Sequence, residues 1–169
     1  FRGAGGFDED FFAHMEEIDL CWRMKNRGWV IRVEPSSTVY HLGGATLSYQ
    51  SPDKVFYNFR NSLWMLVKNL PNGKLVPVLT ARLILDGVAA LNFLVRGEYA
   101  SVRAVWRAHM AFYRSLPLNL KKRAALLSLQ RIHNHAEIFR RSMVFGFYIR
   151  KRKIFSQLWR EKQELSAKS

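Results

Sequence analysis

Three carboxylates lie within four residues near the start of this chain, at Glu16, Glu17 and Asp19. Like charges at this spacing repel one another, so they are rarely placed together for stability. Such a cluster is useful where a proton must be taken from a hydroxyl group, a cation held or a hydroxyl-rich substrate oriented. The alternative is a helix N-terminus, where acidic side chains complement the helix dipole. Spacing alone leaves both interpretations open.

The elements around the cluster predict how it is positioned. A helix is expected from about residue 15 to residue 27, because Lys25, Arg27 and the following Gly28 are typical of a helix end. Two short strands are expected next, at 29–33 and 38–41. His41 would end the second strand beside a turn that contains two glycines, where it is either a ligand, a base or a structural residue.

Together these segments resemble the acceptor half of an inverting family 2 glycosyltransferase of the rhamnosyltransferase-like group, which builds bacterial surface polysaccharides. The resemblance runs over residues 5–46, roughly a quarter of the chain. It is carried by Gly-Gly-Phe-Asp-Glu-Asp-Phe-Phe at 5–12, Glu-Glu-Ile-Asp-Leu-Cys-Trp-Arg at 16–23, Gly28-Trp29 and the segment 39–46. It implies the C-terminal part of a GT-A α/β domain.

The resemblance also implies roles for single residues. The base that deprotonates the acceptor hydroxyl comes from the acidic pair, and we favour Glu17, with Glu16 orienting donor or acceptor. Relatives often have Glu-Asp where this chain has Glu-Glu, so the choice between the two stays open. Asp19, Arg23 and Trp22 are candidates for acceptor binding, although Asp19 and Arg23 are also spaced to form an ion pair along the helix.

A metal site is implied in the same way. In several family members a histidine at the position of His41 helps to hold a divalent cation, Mg²⁺ or Mn²⁺, which neutralises the leaving diphosphate. Its aspartate partners belong to an Asp-x-Asp motif that this chain lacks, because Asp8-Glu9-Asp10 matches the acceptor loop instead. The chain also opens on Phe1. We therefore expect a C-terminal fragment that lacks the nucleotide-sugar-binding half and is inactive alone.

Charge divides the 169 residues into two regions. Residues 1–95 carry a balance of +1 and residues 96–169 a balance of +13, out of the total of +14. We place the domain boundary after the catalytic part, at 1–72 and 73–169. The expected fold class is mainly α with a small β remnant: part of a GT-A domain followed by amphipathic helices. The single cysteine excludes an internal disulfide and fits a reducing cytoplasm.

A helix over 53–70 is predicted next, since its apolar residues recur at helical intervals. Arg60 lies on its other face, beside Asn61. A guanidinium pairs bidentately with phosphate oxygens, so Arg60 is a candidate contact for the donor phosphate or for a lipid-linked diphosphate. The alternative is an arginine that pairs with the acidic cluster and holds the helix in place.

The rest of the chain favours a membrane. Residues 75–95 are long and apolar enough to cross a bilayer, but Pro77, Arg82 and Asp86 favour a helix that lies in the membrane plane or is partly inserted. A helix over about 99–114 and a new segment from Pro117 follow. Basic clusters at 121–123 and 150–153, interleaved with leucines and aromatics, are typical of helices on an anionic membrane.

These features set the expected partners: a nucleotide-sugar donor, a lipid-linked or saccharide acceptor, and the anionic cytoplasmic face of the bacterial inner membrane. Homo-oligomerisation is an alternative role for the C-terminal helices. A non-catalytic basic membrane scaffold is the rival function, although it leaves the acidic cluster unexplained. A nucleic-acid-binding helical protein is the less favoured alternative, and nucleic acid is not an expected partner, because no recognition motif is present and the basic residues accompany contiguous apolar runs.

Overall fold

A computed structural model describes residues 1–40, 51–133, 135, 146–147, 151 and 154, and this part of the chain is mainly helical. The chain divides into two compact units, residues 1–133 and residues 134–169. The first unit contains two short 3₁₀ helices, Arg2–Ala4 and Glu9–Phe11, and four α-helices: α1 (Glu16–Asn26), α2 (Pro52–Asn69), α3 (Asn72–Val95) and α4 (Tyr99–Leu127). The predicted domain boundary between residues 72 and 73 falls inside this unit, in the first turn of α3.

Local sequence signals account for the ends of α1 and α2. The Ser51 hydroxyl accepts a hydrogen bond from the Asp53 backbone N–H at 3.2 Å, and Pro52 occupies the first helical position, where no N–H is needed. α1 ends where Gly28 adopts a φ of 86° and the Trp29 N–H donates to the Met24 carbonyl at 3.0 Å. Both predicted helices are therefore confirmed.

The core of the first unit is built on α2. Leu63, Trp64 and Val67 of α2 are buried against Phe11 from the N-terminal loop and Phe112 of α4. Burying aliphatic and aromatic side chains of this size stabilises the folded state by about 1.5–3 kcal/mol each. The core thus fixes the segment that precedes the acidic cluster against α2 and α4.

The predicted break at Pro117 is wrong, because α4 continues through it to Leu127. A proline inside a helix costs about 3 kcal/mol, since it removes a hydrogen bond and crowds the preceding turn. Residues buried on both sides, Phe112 and Asn119, hold the helix in the unit. Tertiary packing therefore outweighs the local preference of the sequence.

The mainly α prediction is confirmed, but neither predicted strand is formed within the described residues. Residues 29–33 and 38–40 have no regular structure, and Val30 and Val33 are 77% and 88% exposed. A strand needs a neighbour to satisfy its N–H and C=O groups, and no described segment pairs with residues 30–33. The final residue of the second predicted strand, His41, and the glycine turn after it lie outside the described residues.

α3 buries one charged side chain and exposes many apolar ones, although Lys74, Thr80 and Asn92 are exposed as well. It is the one helix of the described residues that is long and apolar enough to cross a membrane. Its one buried residue is Asp86, whose carboxylate oxygens lie 2.7 Å from Arg82 Nε and 3.1 Å from His109 Nε2 of α4. The outward surface is mostly apolar, with exposed Val76, Ile84, Val88, Leu91, Leu94 and Val95.

Candidate functional site

The loop between the second 3₁₀ helix and α1 is strained. Phe12, His14 and Met15 have φ values of 63°, 67° and 72°, in the left-handed region that residues other than glycine rarely adopt. Each such residue costs roughly 1 kcal/mol or more, and strain of this kind persists only where the surrounding structure enforces it. The strained loop, residues 12–15, leads directly into the two glutamates that begin α1.

Asn61 of α2 enforces this conformation. Its fully buried side-chain nitrogen lies 2.9, 2.7 and 2.8 Å from the carbonyl oxygens of Phe11, Ala13 and His14. Arg60 adds hydrogen bonds from its guanidinium to the carbonyls of Asp10 and Phe11, at 3.0 and 3.3 Å. In the sequence, Asn61 is visible only as a neighbour of Arg60. A buried polar side chain requires hydrogen-bond partners, so an asparagine on the core side of a helix could have indicated that it donates to a buried stretch of backbone.

Arg60 is therefore engaged with the loop backbone and not with the side chains of the acidic cluster. Its guanidinium also lies 4.0 Å from the centre of the Trp64 ring and donates to the Asn61 side-chain oxygen at 2.9 Å. Burial lowers the pKa of Arg60 from its ordinary value, against the smaller raising effects of Tyr57 and Asp10. Arg60 stays charged at neutral pH, because an arginine titrates far above this range.

The acidic pair begins α1 with no side-chain cap. Glu17 is exposed. Glu16 is half-buried, and its Oε2 is shielded from solvent without a hydrogen-bond partner. Among the described residues no basic side chain forms an ion pair with either glutamate. Two carboxylates at the positive end of a helix, one exposed and one with unused acceptor capacity, can take a proton and accept hydrogen bonds from hydroxyl groups.

Asp19 and Arg23 lie on the inner side of the same helix. Asp19 is fully buried, and its Oδ2 is 2.8 Å from Arg23 Nε and 3.0 Å from Lys68 Nζ, while Asn69 donates to Oδ1 at 2.8 Å. Arg23 also donates to the carbonyls of Ala4 and Gly6. The predicted i,i+4 ion pair is thus present. The contacts of Asp19 with Lys68 and Asn69 anchor α1 on α2. Trp22, the third acceptor-binding candidate, is half-buried.

Lys122 of α4 closes a second ionic cluster at the N-terminal loop. Its ammonium lies 2.7 Å from Asp8 Oδ1 and 2.7 Å from Asp10 Oδ2, and Lys68 lies 2.6 Å from Asp8 Oδ2. A lysine therefore bridges the two aspartates that have Asp-x-Asp spacing. Arg123 next to it donates to the Val67 carbonyl at 2.6 Å and to Asn72 at 2.7 Å. Two of the three residues in the predicted membrane cluster at 121–123 are consequently structural.

Asp8 makes the stability of this cluster dependent on pH. Burial alone would raise the pKa of Asp8, but hydrogen bonds and charge from Lys122 and Lys68 outweigh it and lower the pKa to about 2. Because the folded-state pKa is depressed below 3.8, the carboxylate's contribution is complete above about pH 5 and is lost as the pH falls towards 2. After allowance for solvent screening it amounts to about 1 kcal/mol.

We expect Asp8→Asn to reduce the free energy of unfolding by about 1 kcal/mol at pH 7 and to flatten its fall between about pH 5 and pH 2.5. Urea titrations across this range measure the effect. The exposed neighbour Glu9 provides the control, since Glu9→Gln should leave the pH dependence intact. A wild-type slope retained in Asp8→Asn would show that other carboxylates govern acid unfolding.

A cavity of about 610 Å³ lies beside this cluster. Asp8, Asp10, Lys68 and Lys122 line it together with Arg23. Asp8 and Asp10 pair there with Lys68 and Lys122, and neither Glu16 nor Glu17 is among its described lining residues. The cavity is therefore separate from the acidic pair.

The predicted metal site cannot be located within the described residues. His41 lies outside them, and the part of the chain that the structure describes contains no group of three or more His, Cys, Asp or Glu side chains able to hold a metal ion. Asp8 and Asp10 are bridged by the Lys122 ammonium, which already neutralises them. The described side chains do not form a divalent-cation site.

Comparison with known proteins finds a short stretch of similarity. Over 41 residues the chain is 44% identical to the N-acetylglucosaminyl-diphospho-decaprenol L-rhamnosyltransferase of Mycobacterium tuberculosis, in strains CDC 1551 / Oshkosh and ATCC 25618 / H37Rv. The match covers 24% of this chain and 13% of each relative. No family model matches the chain, and no solved structure matches it. The similarity indicates a relationship to a glycosyltransferase.

Proposed function

We propose that this chain is the acceptor-side part of an inverting glycosyltransferase of family 2 with a GT-A catalytic domain. The complete enzyme would transfer a sugar, rhamnose by analogy with the mycobacterial relatives, from a nucleotide-sugar donor to a lipid-linked saccharide in cell-surface polysaccharide synthesis. One observation carries the proposal: a strained loop, held by Asn61, leads into two carboxylates that are not neutralised by any described basic side chain.

In this proposal Glu17 is the general base. As the acceptor oxygen attacks the anomeric carbon, its proton passes to the Glu17 carboxylate, the new C–O bond forms, and the bond from the anomeric carbon to the diphosphate breaks. Glu16 accepts a hydrogen bond from a neighbouring hydroxyl group and so orients the substrate. The Asp19–Arg23–Lys68 network holds α1 so that both carboxylates keep their positions, and rigid positioning of this kind favours proton transfer.

Acceptor binding is tested by protection of carboxylates from chemical labelling. The complete enzyme is treated with a carbodiimide and glycinamide, with and without a lipid-linked N-acetylglucosamine acceptor, and labelled positions are found by mass spectrometry. The acceptor should protect Glu17, while Asp53, which is also exposed but lies at the start of α2, should label equally in both samples. Equal labelling of Glu17 with and without acceptor would contradict the proposed site.

A divalent cation, Mg²⁺ or Mn²⁺, remains part of the proposal through His41 alone. Bound at the donor diphosphate, such a cation would neutralise charge on the leaving group. We expect His41→Ala in the complete enzyme to raise the Mn²⁺ concentration needed for half-maximal activity and to weaken donor binding. Metal titration of activity, combined with donor titration, measures both. An unchanged metal requirement with a lower melting temperature alone would make His41 a structural residue.

The proposed location is the cytoplasmic face of the bacterial inner membrane, where a lipid-linked acceptor is reached. α3 supports this, because its Arg82 and Asp86 pair with each other, Asp86 is buried, and most of its exposed side chains are apolar, as expected for a helix in contact with lipid. α4 adds a basic stripe, composed of exposed Arg103, Arg107, Arg114 and Lys121. Their spacing places them within about 40° of one another around the helix, so they attract an anionic surface together.

A further inference from the structure

An apolar cleft lies between α3 and α4, with a volume of about 550 Å³. Leu83, Gly87 and Ala90 form its α3 wall, and Val105, Trp106 and Met110 form part of its α4 wall. This volume falls within the range of small-molecule sites, and such sites are mostly apolar with a few polar groups. The cleft is therefore large enough for a segment of a hydrocarbon ligand.

The charged and polar groups at the cleft lie close to one another. Asp86 and His109 line it, and they lie 3.1 Å apart, while Arg82 pairs with the other Asp86 oxygen at 2.7 Å. Because the buried carboxylate is paired on both oxygens, the cleft presents no unpaired charge to an apolar ligand. Its chemistry suits a hydrocarbon chain and disfavours a charged or sugar-like ligand.

The surroundings indicate the source of that chain. The cleft opens beside the outward apolar surface of α3, and Trp106 at its edge is 63% exposed. A helix whose exposed side chains are mostly apolar and whose buried carboxylate is paired is compatible with lipid, and in that setting a chain would enter the cleft laterally from the bilayer. At the other side, Leu83 packs on the core that contains Phe11, the residue directly before the strained loop. Leu83 thus belongs both to the cleft wall and to the packing around the segment that precedes the acidic pair.

We propose that the α3–α4 cleft binds the polyprenyl chain of the lipid-linked acceptor. This inference rests on the proposed function, since it assigns a place to the lipid part of the proposed substrate. The cleft holds the proximal isoprenoid units, and the diphosphate and saccharide extend from there towards α1.

Two glycines of α3 allow a matched test. An added Cβ meets no atom within 4 Å at either Gly73 or Gly87, so both positions have room for a Cβ, and a side chain at either improves helix propensity. Only Gly87 lines the cleft. In the complete enzyme, Gly87→Phe should reduce photocrosslinking by a diazirine-labelled decaprenyl phosphate about tenfold, while Gly73→Phe should not change it. Gly87→Leu serves as a second variant if Gly87→Phe fails to fold.

The labelled peptides should map to α3 and α4, and excess phosphatidylglycerol should not compete. Equal labelling of the Gly73 and Gly87 variants, or efficient competition by phosphatidylglycerol, would overturn the proposal. The assay requires no sugar transfer, so Glu17→Gln should label like wild type. Intact labelling of a wild-type enzyme that transfers no sugar would count against the proposed function without contradicting lipid binding in the cleft.

Discussion

Replacing Glu17 with glutamine in the complete enzyme is expected to lower kcat for sugar transfer by about 10²–10⁴-fold, because the amide cannot accept the acceptor proton. The glutamine side chain has nearly the same shape as glutamate and can form hydrogen bonds over the same distance. Glu17 is exposed and forms no ion pair among the described residues, so stability should also be preserved. Donor affinity should stay close to wild type. Steady-state kinetics with donor titration and a thermal melt measure all three quantities.

Glu9→Gln is the matched control for this variant. Glu9 is an exposed glutamate eight residues earlier, in the second 3₁₀ helix, and its replacement should leave kcat unchanged. Transfer by Glu17→Gln at more than about a tenth of the wild-type rate would exclude Glu17 as the base. Glu16→Gln would then be the variant expected to lose activity.

Neutralising the basic stripe on α4 is expected to lower binding to anionic vesicles by more than about tenfold. Each basic residue near such a surface contributes about 1 kcal/mol, so three replacements exceed this threshold even after discounting. The variant combines Arg103→Gln, Arg114→Gln and Lys121→Gln, all exposed positions. Arg107 is retained, because it packs over the Phe56 ring at 5.1 Å. Vesicle sedimentation at low salt measures the effect.

A charge-preserving variant separates attraction from folding. Arg103→Lys, Arg114→Lys and Lys121→Arg together should bind vesicles like wild type. High salt should weaken binding without full release, since the apolar surface of α3 would remain inserted, and detergent should release the protein. Wild-type protein that stays in the supernatant with anionic vesicles at low salt would contradict membrane association, and helical oligomerisation would then better explain the apolar surface.

Helices with strong local signals could be predicted from the sequence. α2 has a capping serine, a proline at its first position and regular apolar spacing, and α1 has a glycine at its end. The Asp19–Arg23 pair followed from helical spacing. In these cases the determinants lie within one turn of the residues concerned, so no knowledge of the tertiary structure is needed.

Features that depend on distant partners could not be predicted. The basic run at 121–123 has the composition of a membrane-binding cluster, yet Lys122 pairs with Asp8, more than a hundred residues away, and Arg123 donates to the α2 backbone. Likewise, α4 continues through Pro117 because residues on both sides of it are buried. Apolar composition at 29–33 predicted a strand, but strand formation requires a pairing neighbour that a local pattern does not reveal.

The candidate site was predictable in part. Composition drew attention to Glu16 and Glu17, but the strain at Phe12, His14 and Met15 could not be inferred, because these residue types normally avoid positive φ. Asn61 becomes interpretable only when its three carbonyl partners are seen. The contacts of Asn61 with the loop before α1 thereby explain how the acidic pair at the start of α1 is held against α2.

The central claim, that the acidic pair serves sugar transfer, is tested most directly by following a labelled sugar. The complete enzyme in anionic vesicles is incubated with a polyprenyl-diphosphate N-acetylglucosamine acceptor and, in separate samples, with different radiolabelled nucleotide sugars, of which nucleotide-linked rhamnose is the expected donor. Label should appear in the lipid fraction as an acceptor lengthened by one sugar, and the double variant Glu16→Gln, Glu17→Gln should form none. Folded, vesicle-bound wild-type enzyme that transfers no label from any of the nucleotide sugars tested, or a double variant as active as wild type, would contradict the account.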